Sequence, residues 1–186
     1  MTAALTAIGM LGISAYISSG FFCPDTVNQI EKVKQILSEE GYSYFSPKDS
    51  VFISPNALKD GTGEEAKRER REAFAKDVGG VSAATDFAIV NLSRADGGTY
   101  DPGTLFEAGV AWTAKKPIVY FQPDEAAIEA AKNGTKKLNL MMAESSIRVL
   151  YGYAELRAFL KELKAGGDFT YEGFQKLKQP FEGEVE

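Results

Sequence analysis

The feature that most limits how this chain can fold is a series of short, nearly unbroken apolar runs. Residues 87–92 (FAIVNL) are the strongest, followed by 12–17 (GISAYI) and 117–121 (PIVYF). Five or six apolar residues without alternation suit a strand covered on both faces, as in a parallel sheet. Residues 42–45 and 147–151 read as two more short strands. Between the runs lie stretches with helical spacing. In 24–40, Val27, Ile30, Val33 and Leu37 share a face, Pro24 and Asp25 open the helix, and Gly41 closes it. Residues 64–84, 102–114, 124–133 and 155–164 read as further helices, with Asp101 as an N-cap and Pro102 in the first helical position. Residues 48–63 and 93–100 read as loops, and the acidic tail to Glu186 as only partly packed. Strand–helix alternation with short connections predicts an α/β fold: a three-layer sandwich around a five-stranded parallel sheet, flavodoxin- or Rossmann-like. The length of 186 residues fits one domain over 1–186, with the apolar residues 1–11 as an extension. That start has no basic residues before its apolar stretch and is too short to span a bilayer, so it reads as neither a secretory signal nor a membrane anchor.

In such a sheet, ligands sit at the C-terminal ends of the strands. Those ends fall at 18–22, 46–49, 93–103 and 122–124. Composition then limits the chemistry. The chain has no histidine, which removes histidine bases, Ser-His-Asp triads and histidine-held metals. Its one cysteine, Cys23, can form neither an intrachain disulfide nor a cysteine-held zinc site. No metal and no cofactor are expected. The thiol-poor composition suits the cytoplasm. A net charge of −5 makes nucleic acid a poor partner, and no membrane partner is expected. Carboxylates are left as the first candidates for acid, base or nucleophile.

Most other motifs read as structural. Gly61 to Ala66 (GTGEEA) fits a dinucleotide fingerprint nominally but follows no strand, where that pattern has its meaning. Residues 67–72 alternate in charge as a solvated helix face does. Cys23 has no histidine to activate it. Asp86 starts a strand at the wrong edge of the sheet, and Asp96 lies on a loop. Two acids stand apart. Glu107 lies among Leu105, Phe106, Ala108, Val110, Ala111 and Trp112, and a carboxylate entering an apolar environment is costly unless used or partnered. Asp77 follows Phe74 and precedes Val78, Gly79, Gly80 and Val81, again entering a packed region. On the residues alone, each of these acids has a structural reading beside the functional one.

Several stretches together resemble the nucleoside 2-deoxyribosyltransferases and their N-glycosidase relatives. Tyr100 to Ala111 (YDPGTLFEAGVA) is similar to the family's Asp-x-Gly-three-residues-Glu-x-Gly signature. Ala15 to Phe22 (AYISSGFF) is similar to its first strand, glycine turn and aromatic pair. Asp77 with Gly79 and Gly80 fits its Asp-bearing helix end, Leu138 to Met141 (LNLM) its Asn-Leu-Met stretch, and Phe181 to Glu186 its C-terminal ending. The resemblance implies base exchange on 2′-deoxyribonucleosides by double displacement, as in retaining glycoside chemistry. Glu107 would be the nucleophile that forms a covalent deoxyribosyl ester, and Asp77 the acid and base at the nucleobase. Tyr16 would orient Glu107. Asp101 would hold the sugar 5′-hydroxyl, with Ser18 near the sugar and Gly20 and Gly103 also in the substrate site. Phe21 and Phe22 would wall the base pocket, and a further base contact would come from residues 47–53. Asn139 would reach the sugar of a neighbouring subunit, which implies a homo-oligomer, dimer or hexamer, with shared sites. Ser18 stands where some members have glycine, and Glu186 where many have an aromatic residue.

The resemblance leaves two rivals to the transferase. One is a hydrolase, an N-glycosidase of nucleosides or nucleoside 5′-monophosphates, although Asp101 would repel a phosphate. The other is a binding module without activity on the same fold.

Overall fold

The computed structural model describes residues 12–50, 54, 57, 62–95 and 99–186. The apolar start, the fingerprint-like Gly61, Asp96 and residues 51–53 of the stretch expected to contact the base lie outside the described residues.

Among the described residues, five parallel strands form the central sheet. They are β1 (Ser14–Ser18), β2 (Ser43–Phe45), β3 (Phe87–Asn91), β6 (Ile118–Gln122) and β8 (Arg148–Tyr151), in the order β2-β1-β3-β6-β8. This is the α/β sandwich expected from the sequence. Two-residue strands β4 (Arg94–Ala95) and β5 (Thr99–Tyr100) pair antiparallel, in a stretch that reads as a loop.

The helices are α1 (Pro24–Glu40), α2 (Pro47–Ser50), α3 (Glu64–Gly79), α4 (Pro102–Thr113), α5 (Glu125–Lys132), α6 (Leu140–Ser145), α7 (Tyr153–Gly166) and α8 (Tyr171–Lys176). Gly41 ends α1 at φ 88°, the left-handed conformation that glycine adopts without a Cβ penalty. Helix α3 stops earlier than its pattern suggests. It passes at Gly80 into a π turn, Gly80–Ala84. None of these helices is long and apolar enough to cross a membrane.

The strands divide their residues between two cores by simple alternation. Ala15, Ile17, Phe87, Ile89, Val119 and Phe121 face α1 and α7, whose Ile30, Val33, Leu37, Leu156, Phe159 and Leu160 complete that core. Tyr16, Ala88, Val90, Ile118 and Tyr120 face α4. On the α4 side, Ala88 of the sheet and Ala108 and Ala111 of the helix share one core with larger residues such as Val90 and Tyr120, and small side chains at these positions let the helix approach the sheet. This close approach brings Glu107 within hydrogen-bond reach of β1.

The tail packs more fully than its acidic composition suggests. Phe174 of α8 is fully buried, and β9 (Glu184–Val185) pairs parallel to β7 (Lys137–Leu138). Two aromatic residues, Phe174 and Phe181, anchor it in the two cores. Asp86 is structural, as its position at the strand start suggests, and its Oδ2 accepts the Ser14 backbone N–H at 2.7 Å. The charged 67–72 stretch forms surface ion pairs, Lys67 with Glu64 and Arg68 with Glu72. Cys23 caps α1 with its backbone, and its thiol meets the Thr26 hydroxyl at 3.2 Å.

Candidate active site

Strand β1 points Tyr16 and Ser18 to the α4 side, two residues apart on one face. Above them, α4 turns Thr104, Glu107, Ala108 and Ala111 toward the sheet at helical spacing. The Ser18 hydroxyl meets Glu107 Oε2 at 2.5 Å and the Thr104 carbonyl oxygen at 3.2 Å. The sequence puts Ser18 at the sugar; in the fold it is the partner of the candidate nucleophile. The Tyr16 phenol lies near both Glu107 and Asp77, whose charges act on it. Its oxygen is buried and falls short of hydrogen-bond geometry with any described acceptor.

Three side chains distant in sequence therefore converge: Tyr16 from β1, Asp77 from the end of α3, and Glu107 from α4. Gly80 makes the convergence possible. A Cβ there would come within 2.8 Å of the Phe45 ring and 3.0 Å of the Tyr16 ring. Phe45 and Tyr16 stack with centroids 5.6 Å apart and planes 11° from parallel. Neither Phe45 nor Gly80 stands out as a site residue in the sequence. The Gly79-Gly80 pair after Asp77 is the one signal available there.

Burial governs the electrostatics. It pushes the Glu107 carboxyl up to about 7, against the Ser18 and Tyr16 hydroxyls, which favour the anion; the Asp77 and Asp101 charges add to the rise. Burial likewise pushes Asp77 up to about 6, and its Oδ1 has no partner among the described residues. Tyr16 is held far above the usual phenol range, by burial first and then by the charges of Glu107 and Asp77. It stays a proton donor at every physiological pH. Between about pH 6 and 7 the pair therefore holds one proton, more often on Glu107 than on Asp77.

Asp101 caps α4. Its Oδ2 accepts the Thr104 backbone N–H at 2.7 Å and the Thr104 hydroxyl at 2.9 Å. Gly20 and Gly103 both crowd its carboxylate: a Cβ on Gly20 would sit 3.1 Å from the Asp101 Cβ, and one on Gly103 3.1 Å from Oδ2. Two expected substrate-site residues, Gly20 and Gly103, are thus neighbours of a third, Asp101. Thr104 escapes a reading of the sequence, although its place three residues after an N-cap Asp is a signal for it. Phe21 and Phe22 stack at 4.9 Å; Phe21 leans on the core beneath α1, and Phe22 is 71% exposed.

Asn139 is not brought to this cluster. It caps α6, its side chain accepting the Met141 N–H at 2.9 Å. It opens onto a cavity of about 490 Å³ against the Leu105–Gly109–Trp112 flank of α4, away from Glu107.

Residues 15–141 match the family profile described as Nucleoside 2-deoxyribosyltransferase. The chain belongs to this family. Among solved structures, it is similar to a 2-deoxyribosyltransferase from Bacillus psychrosaccharolyticus, at 22% identity and a TM-score of 0.58 over 79% of this chain and 95% of that one. A 2-deoxyribosyltransferase from Leishmania mexicana aligns at 20% identity and a TM-score of 0.52, over 80% and 97% of the two chains. A conserved protein from Enterococcus faecalis V583 aligns at 20% identity and a TM-score of 0.56, over 81% and 98%. These likenesses concern the shared fold. No curated protein matches the chain. The matched span of the deoxyribosyltransferase family runs from β1 through Met141 and so contains Tyr16, Ser18, Asp77, Asp101, Glu107 and Asn139.

Proposed function

We propose that this family member exchanges the bases of 2′-deoxyribonucleosides through a covalent ester on Glu107. The observation that carries the reading is the cluster itself. A buried carboxylate held by Ser18 shares its surroundings with a second raised carboxyl, Asp77, and with a phenol that cannot ionise.

Glu107, ionised, attacks C1′ of the deoxyribose. The C1′–O bond forms as the C1′–N bond breaks, and the bond's electron pair leaves with the base. Asp77 gives its proton to the departing nitrogen. In the second half, an incoming base attacks C1′ and yields its proton to Asp77, and the ester bond returns its electron pair to Glu107. The reaction starts from the form in which the pair's one proton sits on Asp77 and leaves Glu107 ionised, the less populated of its two placements. Tyr16, near both carboxyls but short of hydrogen-bond geometry at rest, would donate to whichever oxygen becomes anionic once substrate draws the groups together. The apolar packing of α4 keeps water from the ester until a second base arrives.

Asp101 uses one oxygen for the helix cap, which leaves Oδ1 for the sugar 5′-hydroxyl, and its charge opposes a 5′-phosphate. An unphosphorylated nucleoside is therefore the proposed substrate. Asn139 stands beside Trp112, Leu140 and Met141, which are 54%, 51% and 76% exposed. We propose that this apolar flank seats a second copy and carries Asn139 to the partner's sugar site.

The test is incubation with thymidine and adenine. Deoxyadenosine made by the wild type and not by Glu107→Ala is the expected result. Free deoxyribose in its place identifies a hydrolase. Undiminished activity in Glu107→Ala removes Glu107 from its role.

A further inference from the structure

Buried polar atoms without partners mark the catalytic cluster: Tyr16 OH and Asp77 Oδ1. The same mark recurs elsewhere on this face of the sheet. Gln122 ends β6 and Tyr151 ends β8, and the two are register partners, so their side chains project side by side. Gln122 Nε2 and Tyr151 OH are both buried and unpartnered among the described residues, and Gln122 as a whole is only 8% exposed. Leaving such groups unsatisfied is unfavourable, which calls for an occupant that satisfies them.

Both residues line a cavity of about 390 Å³ at the C-terminal ends of β3, β6 and β8, where ligands settle in open α/β sheets. Lys136 lies in its wall, 6.0 Å from the Tyr151 ring centre and 5.9 Å from that of Phe181. No carboxylate among the described residues reaches Lys136 at ion-pair distance. Asp124 lies opposite in charge. It occupies the N-cap of α5 but makes no side-chain capping bond, so its carboxylate is available as an acceptor. The remaining wall includes Ala126, Ala127 and Ala130, which are apolar and small.

The lining thus offers an amide N–H, an ammonium and a phenol as donors, one carboxylate as acceptor, an aromatic ring and a small apolar surface. Lys137 also borders the cavity, but Glu184 and Glu186 pair with it, so the charges left to an occupant, Lys136 and Asp124, balance, which disfavours a phosphate. The complement is a flat, neutral ring with carbonyl acceptors and ring N–H donors. We propose that this cavity binds an oxo-substituted nucleobase, free or as its nucleoside, at a site separate from the catalytic cluster. The proposal stands whether or not Glu107 catalyses transfer.

The test is a titration of Glu107→Ala protein, which cannot turn over through Glu107, with hypoxanthine and with uracil. Alanine methyl groups are followed by NMR. Saturable shifts at Ala126, Ala127 and Ala130, weakened about tenfold by Gln122→Leu or by Lys136→Met, are expected. Lys136→Met replaces a surface-reaching side chain and guards against a folding defect in Gln122→Leu. Three results overturn the proposal: no shift at those alanines with millimolar base, shifts equal in both variants, or shifts with inorganic phosphate or glycine and none with either base. Shifts confined to the Tyr16 and Phe22 surroundings also overturn it.

Discussion

The Ser18 hydroxyl lies 2.5 Å from Oε2 of Glu107, a residue 89 positions away, and 3.2 Å from the carbonyl oxygen of Thr104. A hydroxyl has one proton to give. When Glu107 is ionised, Ser18 donates to it. When Glu107 is protonated, the carboxyl donates to Ser18, and Ser18 can turn its own proton to the Thr104 carbonyl. The contact thus follows the charge of the nucleophile. Ser18→Ala removes the donor that favours the anion, and a hydrogen bond to a charged group is worth about 1.5–3 kcal/mol. Burial already pushes Glu107 up to about 7, so the variant carries it higher. The expected result is an acid limb of kcat/KM displaced upward by roughly one pH unit or more, with activity nearer wild type at alkaline pH. An acid limb that does not move refutes this role for Ser18.

The active form holds one proton between Asp77, pushed up to about 6, and Glu107, pushed up to about 7. A bell-shaped rate profile is expected, with its maximum between those values. Asp77→Asn cannot supply a proton to the departing base. It therefore loses most activity toward nucleosides and retains more toward substrates whose leaving group needs no protonation. A sigmoidal profile without the alkaline fall contradicts the assignment.

Stability depends on pH through the same group. A carboxyl raised on folding is protonated in the native state when it is already ionised in the unfolded one. The native state then binds more protons, so the contribution of Glu107 to stability falls as pH rises from about 4.5 through about 7. Glu107→Gln is insensitive to this. The variant should gain up to roughly 3 kcal/mol relative to wild type at pH 8 and little at pH 5. Thermal denaturation at the two pH values measures the difference. A variant destabilised equally at both excludes a burial cost on the charge.

Gly80 supports the stack of Phe45 on Tyr16, and a Cβ there meets both rings at 3.0 Å or less. The Tyr16 ring is fully buried and cannot swing away. Gly80→Ala is expected to cost about 1–3 kcal/mol of stability by overpacking. It should also lower kcat more than it raises KM, because it displaces Tyr16 rather than a sugar contact. Chemical denaturation with steady-state kinetics separates the two. An alanine variant with wild-type kcat shows that Tyr16 need not hold its position.

If Asn139 serves a partner's site, two inactive variants can complement. Glu107→Ala mixed with Asn139→Ala after co-refolding should recover about a quarter of the wild-type activity for a dimer, because mixed dimers contain one intact site. No recovery in demonstrably mixed dimers rules out shared sites.

Local sequence pattern is enough to set the elements and their faces. Continuous apolar runs marked the central strands, period-two alternation sorted Tyr16 from Ala15 and Ile17, and helical spacing set Glu107 in line with Thr104 and Ala111. Asp101, Gly103 and Glu107 were legible because they share one short segment, where spacing alone fixes relative position. Tertiary structure decided which segments meet. Parallel crossovers bring β1 beside β3 and lay α4 over both, which joins Ser18 to Glu107 and sets Asp77 within reach of Tyr16. It also set Asn139 on the far flank of α4 and left Gln122 and Tyr151 facing a common cavity. Local periodicity carries no information about such pairings, because they depend on close packing between elements distant in sequence and not on the repeat of any one of them.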